Sequence, residues 1–280
     1  MPTNHDRPEI TNVNSDRVRA VRHLTSRSGR QRAGLFVVEG PQGVREAIAH
    51  AADRVRDVYI TAEAAGRYPR MVADARAAAG VFVHAVSTQV ANAMSADAQG
   101  VIAVADRAPY TPRQDALAEL DGLARGGARM IAILHQVRDP GNAGAVIRAA
   151  DAAGADAVVV TEHSVELTNP KVVRSTAGSL FHVPLVAGAP LEAAVDVLRA
   201  AGMSIFAADA AGERLDGPDF AWRLAAPTAW VFGNEARGFS DSERDLADRC
   251  VALPIFGAAE SLNLATAAAV CLYASAFAQH

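Results

Sequence analysis

The sequence is poor in several things. Of its 280 residues only Cys250 and Cys271 are cysteine, too few for a disulfide framework, and no CxxC or Cys/His cluster has zinc-ligand spacing, so no metal is expected. Thiols this sparse fit a reducing compartment, and a cytoplasmic location is expected. Lys171 is the one lysine among 27 basic residues; such an arginine bias reflects a GC-rich genome more often than a chemical need and marks no site. Excess positive charge is missing too: the formal charge is −4, so a nucleic-acid partner must be held by a local patch. No apolar run approaches the roughly 18 residues of a membrane span, and the first ten residues, MPTNHDRPEI, are too polar for a signal peptide, so no membrane partner is expected. No GxGxxG opens a βαβ unit, and Asp151 and Asp156 lie too close to Asn142 to be the acid about 20 positions on; a dinucleotide-dependent oxidoreductase is set aside.

What is present is a folding composition, 50% hydrophobic and 21% charged, in a chain long enough for two domains at ~100–200 residues each. Residues 1–16 are polar and expected to be frayed. Between Asp16 and Glu39 no acidic residue occurs, while Arg17, Arg19, Arg22, Arg27, Arg30 and Arg32 give a local charge of +6. The run reads either as a solvated helix face or as a phosphate-contacting patch, with Arg22, Arg30 and Arg32 as candidate RNA contacts.

Strand-like and helix-like segments then alternate. Leu35–Glu39, Val55–Ile60, Val81–Ala85 and Gly100–Ala105 read as strands. Helical patterns run from Pro41 through Ala52, over Tyr68–Ala79 and over Ser87–Met94. Residues 17–106 thus form a smaller α/β unit. Residues 107–128 read as a linker, with Pro109, Pro112 and Gly126-Gly127 around a connecting helix Gln114–Arg125. Residues 129–280 form a second α/β domain. Its strands Met130–Leu134, Ala157–Thr161, Ser204–Ala208, Ala229–Phe232 and Val251–Ile255 are apolar without alternation, which predicts a parallel sheet covered on both faces. Its helices are Ala143–Ala153, Leu191–Ala201 and Leu262–Phe277.

Three segments break this pattern, each just after a predicted strand, where open α/β sheets place ligands. In His135–Asp151, HQVRDPGNAGAVIRAAD, a turn at Pro140-Gly141-Asn142 opens a helix that carries Arg148 six residues after Asn142. Such a helix start suits an anion; equally, Asn142 is a plain turn or cap residue. In Phe232–Ser240, FGNEARGFS, Glu235 sits between glycines, either orienting a ligand group or serving as a helix-start carboxylate. In the third, LPIFGAAESLNL from Leu253, a small-residue loop ends on Ser261-Leu262-Asn263. It offers backbone groups and apolar side chains to a flat heterocycle, or simply carries Ser261 as a helix cap.

The ordered set N-x5-R, GNExxG and LPI-x5-SLN before a terminal helix resembles the motifs of the SpoU family of RNA ribose methyltransferases, in the SPOUT superfamily. LFVVEGPQGVREAI looks like the signature of the family's N-terminal RNA-binding domain, so the resemblance extends over residues 17–277. It implies a C-terminal parallel-sheet domain with a deep trefoil knot, a homodimer joined through the last helix (Val270, Leu272, Tyr273, Phe277), and methyl transfer from S-adenosylmethionine to a ribose 2′-hydroxyl. The two-domain arrangement is similar to that of enzymes acting on 23S ribosomal RNA, including the thiostrepton-resistance methyltransferases. A transfer RNA enzyme, or a non-catalytic RNA-binding protein that kept the fold, are the alternatives. Position by position, Arg148 matches the catalytic arginine, Asn142 a residue that positions it or the ribose, Glu235 the second motif's acid, and Ser261 and Asn263 the third motif's polar pair. A guanidinium with a reference pKa near ~12.5–13.8 is a poor base, so its expected part is to stabilise the developing alkoxide and the flanking phosphate. Gly233, Leu253, Ile255 and Leu262 match cofactor-contacting positions, with Ala208 a further candidate, and Arg174 matches a basic position that can hold an RNA phosphate. The sequence departs from the family's pattern at Glu260, where relatives commonly carry a small residue.

Overall fold

The computed structural model describes residues 9–217 and 220–280. In chain order the elements up to Asp106 are α1 (Asp16–His23), α2 (Arg27–Ala33), β1 (Leu35–Glu39), α3 (Pro41–Ala51), β2 (Val55–Ile60), α4 (Ala62–Arg67), α5 (Pro69–Ala77), β3 (Phe82–Ala85), α6 (Thr88–Met94) and β4 (Val101–Asp106). Then come α7 (Ala116–Arg125), β5 (Met130–Leu134), α8 (Pro140–Ala152), β6 (Ala157–Thr161), α9 (Pro170–Ser175), β7 (Leu185–Ala189) and α10 (Leu191–Ala200). The last are β8 (Ser204–Arg214), α11 (Ala221–Leu224), β9 (Thr228–Phe232), α12 (Asp241–Arg244), β10 (Arg249–Ala252) and α13 (Leu264–Gln279). They divide into two compact units, Met1–Pro109 with Leu167–His182, and Tyr110–Glu166 with Val183–His280.

The first unit is built on a mixed sheet in the order β1-β4-β2-β3, antiparallel except for the β2–β3 pair. Val18 and Val21 of α1 and Val90 and Met94 of α6 pack with Val37, Tyr59 and Ile102 in one core cluster. Several sequence expectations are corrected here. Of the segment expected to be frayed, residues 1–8 lie outside the described residues, but Ile10 bridges Val86 through backbone bonds and Ser15 caps α1. The arginine run is not one patch. Arg30 is 3% exposed, and its Nη1 donates to the carbonyls of Leu24 and Thr25, tying off the turn after α1. Arg17 bonds to His84, itself paired with Asp57. Arg22, Arg27 and Arg32 remain exposed. Arg174 is likewise engaged within this unit, bonded to Asp97 and, at 2.9 Å, to Glu39, whose side chain is 6% exposed.

The second unit carries a six-stranded parallel sheet in the order β10-β8-β9-β5-β6-β7. Strands β5, β6 and β9 are buried along their whole length, as continuous apolar runs require. Ala116, Leu120 and Ala124 of α7 belong to this core together with Leu191, Val195 and Leu198 of α10. The segment expected as a linker is therefore a packed helix: its apolar i, i+4, i+8 stripe meets the sheet. Helix α13 supplies Ser275, whose Oγ accepts from the buried Trp230 Nε1 at 2.8 Å.

The larger differences from expectation lie in β7, β8 and β10. Strand β7 was not anticipated, because Pro184, Gly188 and Pro190 interrupt its pattern, and Gly188 is needed where the chain lies against Pro112. Strand β10 ends at Ala252, ahead of Pro254. Strand β8 continues to Arg214 with a jump in register: Cys250 pairs with Ala207, and Val251 with Glu213. A Cβ on Gly212 would lie 2.3 Å from the carbonyl carbon of Cys250, so the two backbones lie in close contact at the register jump, where only glycine fits. Among the described residues no helix is long and apolar enough to cross a membrane.

Candidate active site

The carboxyl ends of β9 and β10, the middle of β8 and the first turn of α8 open onto a cavity of about 420 Å³. Open parallel sheets place ligands at this end, and the size is that of a small-molecule site. Ala208, Gly233, Leu253, Ile255 and Leu262, the five expected cofactor contacts, all line it, with Asn142, Glu235, Ser261, Asn263 and Glu260. Residues 253–263 run outside helix and strand, so their amides and carbonyls are not spent on a ladder. Gly233 is required for packing: a Cβ there would lie 2.9 Å from the Phe239 ring.

A chain of side-chain hydrogen bonds joins the three segments at the rim. Asn263 Nδ2 donates to Asn142 Oδ1 at 2.9 Å, and Asn142 Nδ2 donates to Glu235 Oε1 at 3.3 Å. The carboxylate also accepts from the amides of Arg138 and Asp139, both at 3.3 Å, just before α8. That is where a helix dipole favours a negative charge. Asp139 is the N-cap of α8 and accepts from the Asn142 amide at 2.8 Å, so Asn142 sits in the first turn with its amide side chain turned to the cavity rim instead of capping. Asn263 is the N-cap of α13, its Oδ1 accepting from Ala265 N at 2.9 Å and Thr266 N at 3.4 Å. One residue thus caps the last helix and reaches the first motif; Ser261, two residues earlier, is exposed on the cavity wall.

Arg148 is exposed on α8, about 9 Å along the helix axis from Asn142 at 1.5 Å per residue. It is not among the residues that line the cavity of one chain. Beside it runs the outer face of α13: Tyr273 Oη donates to the carbonyl of Ala152 at 3.2 Å, at the end of the helix that carries Arg148. Val270, Tyr273 and Phe277 on that face are 45%, 37% and 80% exposed, whereas Leu272 is buried.

Other residues of the site escaped the sequence reading. Asp209 and Arg244 line the cavity as an ion pair at 2.8 Å. Partial burial opposes ionisation of Asp209, but the Ala211 amide and the Arg244 guanidinium outweigh it and hold its carboxyl below the usual range. An acid directly after the apolar run of β8 was the available signal. Glu243 organises the second motif from behind. It accepts two bonds from Arg237, one from the Ser240 amide, and lies 2.8 Å from His135 Nε2. Arg237 foremost, against partial burial and together with Ser240 and His135, keeps this carboxyl well below the ordinary glutamate value. The S-x-x-E spacing of a capping box, completed by Ser240 and Glu243, was legible in the sequence.

Fold and site together define an open parallel α/β protein with a small-molecule cavity at the strand ends and an amide-carboxylate rim facing solvent. Residues 129–273 match the model of the SpoU rRNA methylase family, and residues 15–103 match an MRM3-like substrate-binding domain. The chain belongs to the SpoU rRNA methylase family. It is 29% identical to the 23S rRNA (guanosine(2553)-2′-O)-methyltransferase RlmP of Bacillus subtilis, over 95% of this chain and 98% of that protein. Among solved structures, an AdoMet-bound rRNA methyltransferase from Sinorhizobium meliloti superposes with a TM-score of 0.76 at 26% identity, covering 96% of this chain and 97% of that one. The SpoU methyltransferase AviRb from Streptomyces viridochromogenes, in complex with AdoMet, gives 0.75 at 27% identity, covering 94% and 98%.

Proposed function

We propose that the protein methylates a ribose 2′-hydroxyl of 23S ribosomal RNA with S-adenosylmethionine, working in the cytoplasm as a homodimer. The observation that carries the reading is the Glu235–Asn142–Asn263 chain, which draws three sequence-distant segments onto one cavity rim. The cavity suits this donor. Leu253, Ile255 and Leu262 offer apolar cover to a flat base, Asp209 and Glu235 place carboxylates near a cationic group, and the 253–263 loop has backbone groups to spare. When bound, the donor supplies an electrophilic methyl group. The chain's part is alignment and charge. Asn142 and Asn263 fix the rim against which the ribose is set. Arg148, as a permanent cation, stabilises the oxygen as it loses its proton to solvent and holds the adjacent phosphate.

The exposed apolar face of α13 supports self-association, and with it that role. Arg148 borders this face, so pairing two copies there carries the arginine to the subunit junction, where it can serve a cavity that its own chain leaves it outside. Arg22 and Arg32 remain proposed RNA contacts; Arg30 and Arg174 do not, since burial and ion pairing already use them. The test is ribose-methylation mapping of ribosomal and transfer RNA from a strain lacking the protein. One 23S position that loses its methyl, and regains it on complementation, is the expected result; loss confined to transfer RNA, or no loss, refutes the proposal.

A further inference from the structure

A cluster in the first unit has no part in the chemistry above. Glu46 and His50 stand one turn apart on α3, at the i, i+4 spacing that puts two side chains on one face. His182 joins them from a stretch distant in sequence, delivered by the 3-10 turn Ser179–Phe181. Both imidazoles aim Nε2 at the same carboxylate oxygen: Glu46 Oε2 lies 3.6 Å from His50 and 3.4 Å from His182. The rings meet edge to face with centroids 4.5 Å apart, and the ligand atoms of all three residues lie within 4.8 Å of one another.

These separations are longer than the roughly 2.7–3.2 Å of a good N–H···O bond. The two oxygen–nitrogen separations come close to another geometry. Ligand atoms bound at about 2.0–2.1 Å around a tetrahedral zinc ion stand about 3.3–3.4 Å apart. The rest of the neighbourhood is consistent with a built site. Arg45 donates to the other oxygen, Glu46 Oε1, at 3.0 and 2.7 Å, which leaves Oε2 turned to the imidazoles and fixes the carboxylate as an outer-shell partner does. Gly178 has φ +107°, and a Cβ there would meet Glu46 Cγ at 2.4 Å, so only glycine lets the stretch bearing His182 come this close to α3. No spacing signature announces the trio, because its third member is 132 residues from His50 (182 − 50).

We propose that Glu46, His50 and His182 form a binding site for a divalent late first-row metal ion, with zinc the best match, that fastens the 178–182 stretch to α3. Two imidazoles and a carboxylate are a zinc ligand set, and partial exposure of His50 and His182 leaves the fourth position to water.

The experiment is a titration of the full-length protein with zinc chloride in competition with a chromogenic chelator, followed by cobalt substitution read in the visible spectrum. The parent should take up one zinc per chain and give the intense d–d bands of four-coordinate cobalt. His50→Ala lies on a half-exposed helix position and should fold normally. It should weaken uptake by more than the roughly 10–100-fold that loss of an outer-shell partner costs. His182→Ala should do the same, and His163→Ala, elsewhere on the surface, should change nothing. Failure of the parent to bind zinc stoichiometrically, or uptake that survives in His50→Ala, overturns the site and leaves an ion cluster only.

Discussion

Asn263→Asp separates the two tasks of one side chain. Aspartate keeps the oxygen that accepts from the amides of Ala265 and Thr266, and it adds a charge that the start of α13 favours by about 0.3–1 kcal/mol. What it loses is the Nδ2 donor to Asn142. An acceptor then faces the Asn142 oxygen. If the Asn142 amide turns over to donate to the new carboxylate, its oxygen confronts Glu235 instead. One bond in the Glu235–Asn142–Asn263 chain must fail either way. Bonds involving a charged partner are worth about 1.5–3 kcal/mol, so if the chain holds the ribose in register, kcat/KM falls roughly 10–150-fold. Urea unfolding should place Asn263→Asp about 0.5–2.7 kcal/mol below the parent, the lost bond set against the charge at the helix start, while Asn263→Ala, which also loses the cap, drops by about 0.5–2 kcal/mol more. The assay is methyl incorporation into 23S ribosomal RNA at subsaturating substrate, with cofactor affinity measured separately by calorimetry. Parental kcat/KM in Asn263→Asp would falsify the positioning role.

Arg148→Ala should abolish methylation and leave S-adenosylmethionine affinity unchanged, because the side chain does not line the cavity; calorimetry showing lost cofactor binding counts against that placement. Arg22→Glu with Arg32→Glu should weaken RNA binding and flatten its salt dependence by about 0.7 per lost phosphate contact, whereas Arg30→Ala should lower the unfolding midpoint and spare RNA affinity. Glu243 has a folded pKa below its ordinary value, so its contribution is complete above that value and is lost as pH falls beneath about 4.3. The stability gap between the parent and Glu243→Gln should therefore be widest near neutrality and close in acid; a gap that does not change with pH rules the ionised network out.

The sheet of the second unit was legible because β5, β6 and β9 are unbroken apolar runs, which only a strand covered on both faces tolerates. Strand β7 was hidden by the two prolines and the glycine that let it pass Pro112. For the site, the motifs announced Asn142, Glu235 and Asn263 but not the bonds between them, which span 93 and 121 residues and exist only once the sheet ends meet. Charge misled where burial decides. A run of arginines looks alike whether the guanidinium faces water or, as in Arg30, carbonyls five and six residues back. His135 and Asp209 were missed for the converse reason: each takes its meaning from a partner in another segment.

Residues 167–182 leave the sequence of the second unit and fold with the first, where Arg174 answers the nearly buried carboxylate of Glu39. The two halves are consequently not interchangeable cassettes. A fragment cut at residue 109, or a chimera that exchanges it for a relative's counterpart, leaves behind the cation that pairs with its own first strand, and Glu39 keeps the Ser95 hydroxyl at 2.6 Å but loses its charged partner. Grafting a new RNA-recognition half onto this enzyme therefore demands two cuts and a transplanted insert, and evolution working by whole-domain shuffling would have met the same obstacle.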